Sequence, residues 1–310
     1  MEEQQRTELR NMVSIFIGLM FVKVYEFFLS DIGRPTLSFI SYAAGILLIL
    51  LFNRKHCWSL SDFGIQGVIN NTFWEVILPA LIWLGSLAII IIPEYLICTF
   101  GGEAEYPYFD LICFNQHVDL ILSKSDNTIL VTWTIMGALI CALRALFLEV
   151  FFRGFAFGVL RKKTGFYVCN AVQALFYTMF FFVGPVRSLM LSEDKGKTVV
   201  LFLLFFAAQF LFAFRQGYLR LVCGTIWPCV LTTFLFNFFT YNVVIVGLGG
   251  TEFVNYADYI RWILIQGICL LGTLAYCKKM KKKFPPPKPN PAELEEMKAL
   301  AELEAQQEEI

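Results

Sequence analysis

At 310 residues and zero net charge, the chain is 57% hydrophobic but only 16% charged, well below the ~25% charged content of a typical soluble protein. With a mean hydropathy of +0.64, that balance excludes a soluble globular domain and points to an all-α polytopic membrane protein, with no nucleic-acid partner expected. Phenylalanine is unusually abundant, at 33 residues.

The start, MEEQQRTELRN, is polar and acidic. It lacks the basic region and small-residue cleavage site of a signal peptide, so the apolar run at 12–30 reads as a retained helix. Further runs follow at 36–53, 73–99, 128–152, 166–184, 198–214, 221–247 and 258–277. Each approaches the ~20 apolar residues that a span requires, giving a bundle of about eight transmembrane helices. Arg144 and Glu149 interrupt the fourth run, and the seventh holds Pro228, Thr233 and Asn237. Such residues face a bundle interior, where protein can satisfy them.

Cys141, Cys169, Cys223, Cys229 and Cys269 lie in apolar runs, with no CxxC pair, and read as small apolar fillers. No metal or other cofactor is expected. Cys223 and Cys229 would point to different helix faces, and the two histidines, His56 and His117, fall in expected loops.

Basic residues set the expected orientation. One set of loops holds Arg6, Arg10, Arg54, Lys55, Arg161 to Lys163, Arg215, Arg220 and the lysines at 278–283. The opposite set holds Arg34, Lys124, Arg187, Lys195, Lys197 and Arg261, and includes the acidic loop 100–127. The richer set contains both termini, so a multi-pass plasma-membrane protein with both ends cytoplasmic is expected. The organisation is then three helices and an external loop (1–127), a core of four helices (128–247), the last helix with a basic anchor on the lipid bilayer (248–283), and a tail (284–310). In the tail, a proline-rich spacer leads to Asn290 as helix cap and Pro291 at the first helical position. The acidic helix that follows, with Leu294, Met297, Leu300 and Leu303 on an incomplete stripe, reads as solvated, with a cytosolic partner as the alternative.

Glu149 and Arg153, four apart and so on one helix face, are open to two readings: a structural ion pair inside the membrane, or a catalytic or ligand site. Asn170, Gln173 and Tyr177 share a face at i, i+3 and i+7; helix-to-helix hydrogen bonding is their simplest role.

Three strings in this region belong together. LEVFFRG at 148–154 is followed by Phe176 to Phe180 in QALFYTMFFF, and then by Thr233 to Asn237 in GTIWPCVLTTFLFNFF. In order and spacing over residues 145–240 they resemble the EExxxRG, FxxxH and HxxxN motifs of the CPBP family. These intramembrane glutamic proteases include the CAAX-processing endopeptidase and bacteriocin-immunity (Abi-type) proteins. WSLSDFGI at 58–65 is also similar to an upstream loop of such proteins.

The resemblance implies a catalytic glutamate at the Leu148 position and histidines at Phe180 and Thr233, and none of the three is present. Peptide hydrolysis needs an activated water, an oxyanion stabiliser and a proton donor. Leucine and phenylalanine supply none of these, and threonine donates one neutral hydrogen bond. The expectation is a pseudoprotease with a membrane-protein or peptide partner, in an immunity or scaffolding role, with no catalytic residues. Glu149, Arg153, Asn237, Gln173 and Tyr177 would line its binding cavity. The alternative is an active endopeptidase of CAAX or peptide-maturation type. Its rebuilt site would use Glu149 as base, with Arg153, Asn237 and Thr233 around it. A small transporter ranks last, because no internal repeat is visible.

Overall fold

The computed structural model describes residues 2–30, 42–51, 63–65, 73–101, 108–111, 127–246 and 256–283. His56, His117, the basic residues Arg34, Arg54, Lys55 and Lys124, and the tail 284–310 lie outside the described residues.

Ten α-helices are described, in chain order. They are α1 (Glu2–Ser30), α2 (Tyr42–Leu51), α3 (Leu78–Gly101), α4 (Asn127–Glu149), α5 (Phe157–Arg161), α6 (Phe166–Phe180), α7 (Val183–Leu191), α8 (Lys195–Cys223), α9 (Trp227–Asn242) and α10 (Tyr256–Lys283). Two π-helical segments join the run: Phe73–Ile77 opens α3, and Val150–Ala156 bridges α4 and α5. A helix lies at each of the expected spans. Among the described residues three are long and apolar enough to cross a membrane: Phe73–Ile97, Lys195–Cys223 and Tyr256–Met280. The pair α6 and α7, bent by 49°, makes a fourth if counted as one span.

The helices are not the whole fold. Tyr108–Leu111 (β1), in the acidic 100–127 stretch, pairs antiparallel with Val243–Val246 (β2), which the hydropathy pattern assigns to the seventh span. Four valines and isoleucines in a row suit a strand as well as a membrane helix, and a distant pairing partner decides between them. Proline placement differs too. Pro228 is the second residue of α9, where a missing N–H costs nothing, whereas Pro93 lies inside α3.

Local chemistry fixes the ends of α8. Asp194 caps its first turn, its carboxylate accepting from the Lys197 amide at 2.9 Å, and Gly224 closes it in the left-handed region at φ 67°. The helix therefore runs well past the expected end at 214. Arg215 and Arg220, expected in a basic loop, are inside it, and Arg215 is fully buried. Arg261, also expected in a loop, is buried in α10.

Lipid tails are as apolar as the side chains, so packing rather than water exclusion holds such a bundle. Here the packing is aromatic. Phe147, Phe152, Tyr177 and Phe180 interleave between α4, its π segment and α6, and Phe236 stacks on Phe212 at 4.5 Å and meets Trp262 edge-on at 5.2 Å.

Contacts sort the helix ends into two sets. At one, Lys162 pairs with Glu8 at 2.9 Å, Trp227 donates to the Ile65 carbonyl, and Tyr276 donates to the Trp74 carbonyl with Lys279 over that indole. At the other, Arg261 pairs with Glu94. The start of α1, the Arg161–Lys163 turn and the end of α10 thus share one end with most of the described basic residues.

Candidate functional site

The π-helical turn after Glu149 positions the site. Widening the helix by one residue per turn re-aims side chains and releases backbone carbonyls. One of these, the Arg153 carbonyl, accepts from Arg220 Nε at 3.2 Å. Residues 63–65, the described part of the 58–65 stretch, dock on the same turn: a Cβ on Gly154 would lie 3.0 Å from the Phe63 carbonyl oxygen, so the glycine of RG is where backbone meets backbone. The next residue, Gly64, has φ +72°, and a Cβ there would run into the Arg220 guanidinium. Arg220 thus ties the loop to the motif, while Ile226 N–H bonds the Gly64 carbonyl at 3.1 Å.

Glu149 and Arg153 are both fully buried. Arg153 Nη1 donates to Glu149 Oε1 at 3.4 Å, and Arg153 Nε stands 3.3 Å from Oε2 as an ion contact without hydrogen-bond geometry. The short bond is a different one: Thr233 Oγ1 donates to Glu149 Oε1 at 2.6 Å. Thr233 is itself held by Gln216 Nε2 at 3.1 Å, and the same amide reaches Thr232 at 2.9 Å. Arg153 is fixed on its other side by the Ala213 carbonyl at 3.0 Å and by the face of Tyr177, 4.5 Å from the guanidinium. The α8 and α9 groups that hydrogen-bond the two side chains, the Ala213 carbonyl and the Thr233 hydroxyl, are neutral, which holds the charges without cancelling them.

The expected site residues divide. The structure brings together Glu149, Arg153, Thr233 and Tyr177. Gln173 is adjacent but turned to packing: its Nε2 donates to Asn170 Oδ1 at 2.8 Å and to the Ala213 carbonyl at 3.2 Å. Asn170 donates to the Phe214 carbonyl at 2.9 Å. This face of α6 therefore looks at α8, and the described residues show no bond from it to Asn237. Asn237 is buried one turn beyond Thr233, and its Nδ2 has no hydrogen-bond partner among the described residues. Leu148 is fully buried, and Phe180 packs against Phe147 and Phe152 with Lys23 Nζ 5.9 Å from its ring centre.

Residues 130–239 match the family model described as type II CAAX prenyl endopeptidase Rce1-like. Over that segment this membrane protein is similar to the Rce1-like family. The matched segment begins earlier than the motif text and takes in α4 through most of α9, the elements that build the site. No curated protein and no solved structure is significantly similar to the chain.

Sequence reasoning missed Arg215, assigned to a loop, and Gln216, which falls just past the expected helix end. The signal was the apolar continuation Leu219, Leu221 and Val222 up to Gly224. Cys269, read as an apolar filler, accepts a hydrogen bond from Arg215 Nη1. Among the described residues no group of His, Cys, Asp and Glu is placed to hold a metal ion.

Proposed function

We propose that this Rce1-like protein is catalytically degenerate, keeping the CAAX-protease frame and using its polar interior to bind a membrane protein or peptide, in immunity or scaffolding. The observation that carries this reading is the commitment of Glu149. Its carboxylate is engaged by Arg153 and Thr233, and the motif positions that would supply acid–base groups hold Leu148 and Phe180, both in apolar packing. A general base must reach a water and take its proton; this carboxylate is anchored instead. We place it in the plasma membrane, and the gathering of the basic helix ends supports cytoplasmic termini by the positive-inside rule.

One observation favours the second reading, an active endopeptidase. Asn237 Nδ2 is a buried donor with no partner among the described residues, one turn from the Thr233–Glu149 bond, where an oxyanion donor would be useful. The deciding experiment is cleavage of prenylated and unprenylated peptides by the protein in lipid vesicles, with Glu149→Gln alongside and its membrane level measured. The expected result is no cleavage above empty vesicles. Cleavage that disappears in a normally accumulated Glu149→Gln would overturn the degenerate reading.

A further inference from the structure

We propose that Arg215, with Gln266 one helical turn from its Cys269 partner, is a receptor for a carboxylate carried on an apolar chain, that of a long-chain fatty acid. Arg215 is fully buried, eight residues before the end of α8, about 12 Å inward at ~1.5 Å per residue. Its Nη1 donates to Cys269 Sγ on α10, and its guanidinium stands 5.4 Å from the centre of the Phe212 ring. Among the described residues, neither Nε nor Nη2 has a hydrogen-bond partner.

Those two nitrogens form one edge of the guanidinium, the fork that takes a carboxylate through two parallel bonds. The same chain shows this fork filled elsewhere: Arg261 holds Glu94 through Nε and Nη2, each at 2.6 Å. Gln266 lies three residues before Cys269, on the same face of α10. It is buried, and neither its amide nitrogen nor its oxygen has a partner among the described residues. A donor one turn from the Cys269 contact can serve another lone pair of a bound carboxylate.

Charge points the same way. Glu149, within electrostatic reach of Arg215, is already engaged by Arg153 and Thr233, so two arginines share one carboxylate. A thiol is a weak acceptor and neutralises nothing when protonated. A carboxylate on the fork would restore balance inside the membrane, where an unmatched charge is costly. The buried residues nearby, Phe212, Phe236, Trp262 and Ile265, are apolar, which selects a ligand that arrives from the bilayer with an apolar tail.

This site goes beyond the peptidase question, and its test is separate from the cleavage assay. The full chain, in nanodiscs free of fatty acid, is titrated with laurate, and with dodecanol as the tail-only control, while thermal unfolding is followed. Laurate should raise the unfolding temperature saturably, and dodecanol should not. Arg215→Met, which removes an unmatched buried charge and so should fold, abolishes the laurate shift. Arg215→Lys, which keeps the charge but loses the fork, weakens laurate binding at least tenfold, and Gln266→Leu weakens it by about tenfold. No laurate-specific shift in the wild type, or an undiminished one in Arg215→Met or Arg215→Lys, overturns the proposal.

Discussion

Arg261 grips Glu94 through two bonds of 2.6 Å and reaches Asp258 at 3.0 Å, while Arg153 meets Glu149 only at 3.3 and 3.4 Å. The tighter cluster lies near a helix end, with Glu94 29% exposed, and there one arginine pairs with two carboxylates of the described residues. The looser one is in the interior, fully buried, and with Arg215 nearby it has two arginines for one carboxylate. At the edge, water can make up an imbalance. In the interior the Ala213 carbonyl and the face of Tyr177 supplement Glu149 around Arg153, and the charge of Arg215 is left over. Good ion-pair geometry thus marks the place where the pair matters least, because desolvation rather than distance sets the cost of breaking one.

That contrast is broken most directly at Glu149. Glu149→Gln leaves Arg153 buried without its counter-charge and should lower stability by about 3–5 kcal/mol, measured by unfolding in mixed detergent and SDS. A loss smaller than that of the edge variants would sink the comparison. Arg261→Gln should follow, at about 2–3 kcal/mol: Asp258 is left buried and negative, but Glu94 already meets solvent.

The sequence carried the helices and the motif text because both are local. A run of apolar residues declares a helix, and Leu148, Phe180 and Thr233 are readable as letters wherever the chain goes. What was not legible depends on partners far along the chain. The π segment at Val150–Ala156 forms where Arg220 captures the Arg153 carbonyl and Phe63 presses on Gly154. The β1–β2 pairing joins the 108–111 stretch to residues that look like membrane helix. Arg215 looked like a loop residue because a charge after an apolar run usually ends it, and only α10 packed alongside makes a burial site there. The site itself was half legible: Glu149, Arg153, Thr233 and Tyr177 meet, whereas Gln173 is spent on packing against α8.

A subtler change sharpens the comparison. Thr233→Val keeps the side-chain shape but deletes the 2.6 Å donor to Glu149 and an acceptor for Gln216. A hydrogen bond to a buried charge is worth about 1.5–3 kcal/mol, and Arg153 remains to hold the carboxylate, so a loss of about 1.5–2 kcal/mol is expected in the same unfolding assay. Thr233→Ser, which restores the hydroxyl, should recover most of it.

The smallest effect belongs to the best-made pair. Glu94→Gln removes a charge from the 2.6 Å fork, but Arg261 keeps Asp258, the amide still accepts one bond, and the site is open to water. A loss of about 1 kcal/mol or less follows. Salt then separates the two regions. Ions that reach Glu94 screen its pairing over ~10 Å at 0.1 M and less at higher concentration, so the gap between wild type and Glu94→Gln should shrink as salt rises. No ion reaches Glu149, and the gap for Glu149→Gln should stay constant over the same series. A salt-sensitive Glu149→Gln would mean that water enters the interior cluster, which would return Glu149 to consideration as a working base.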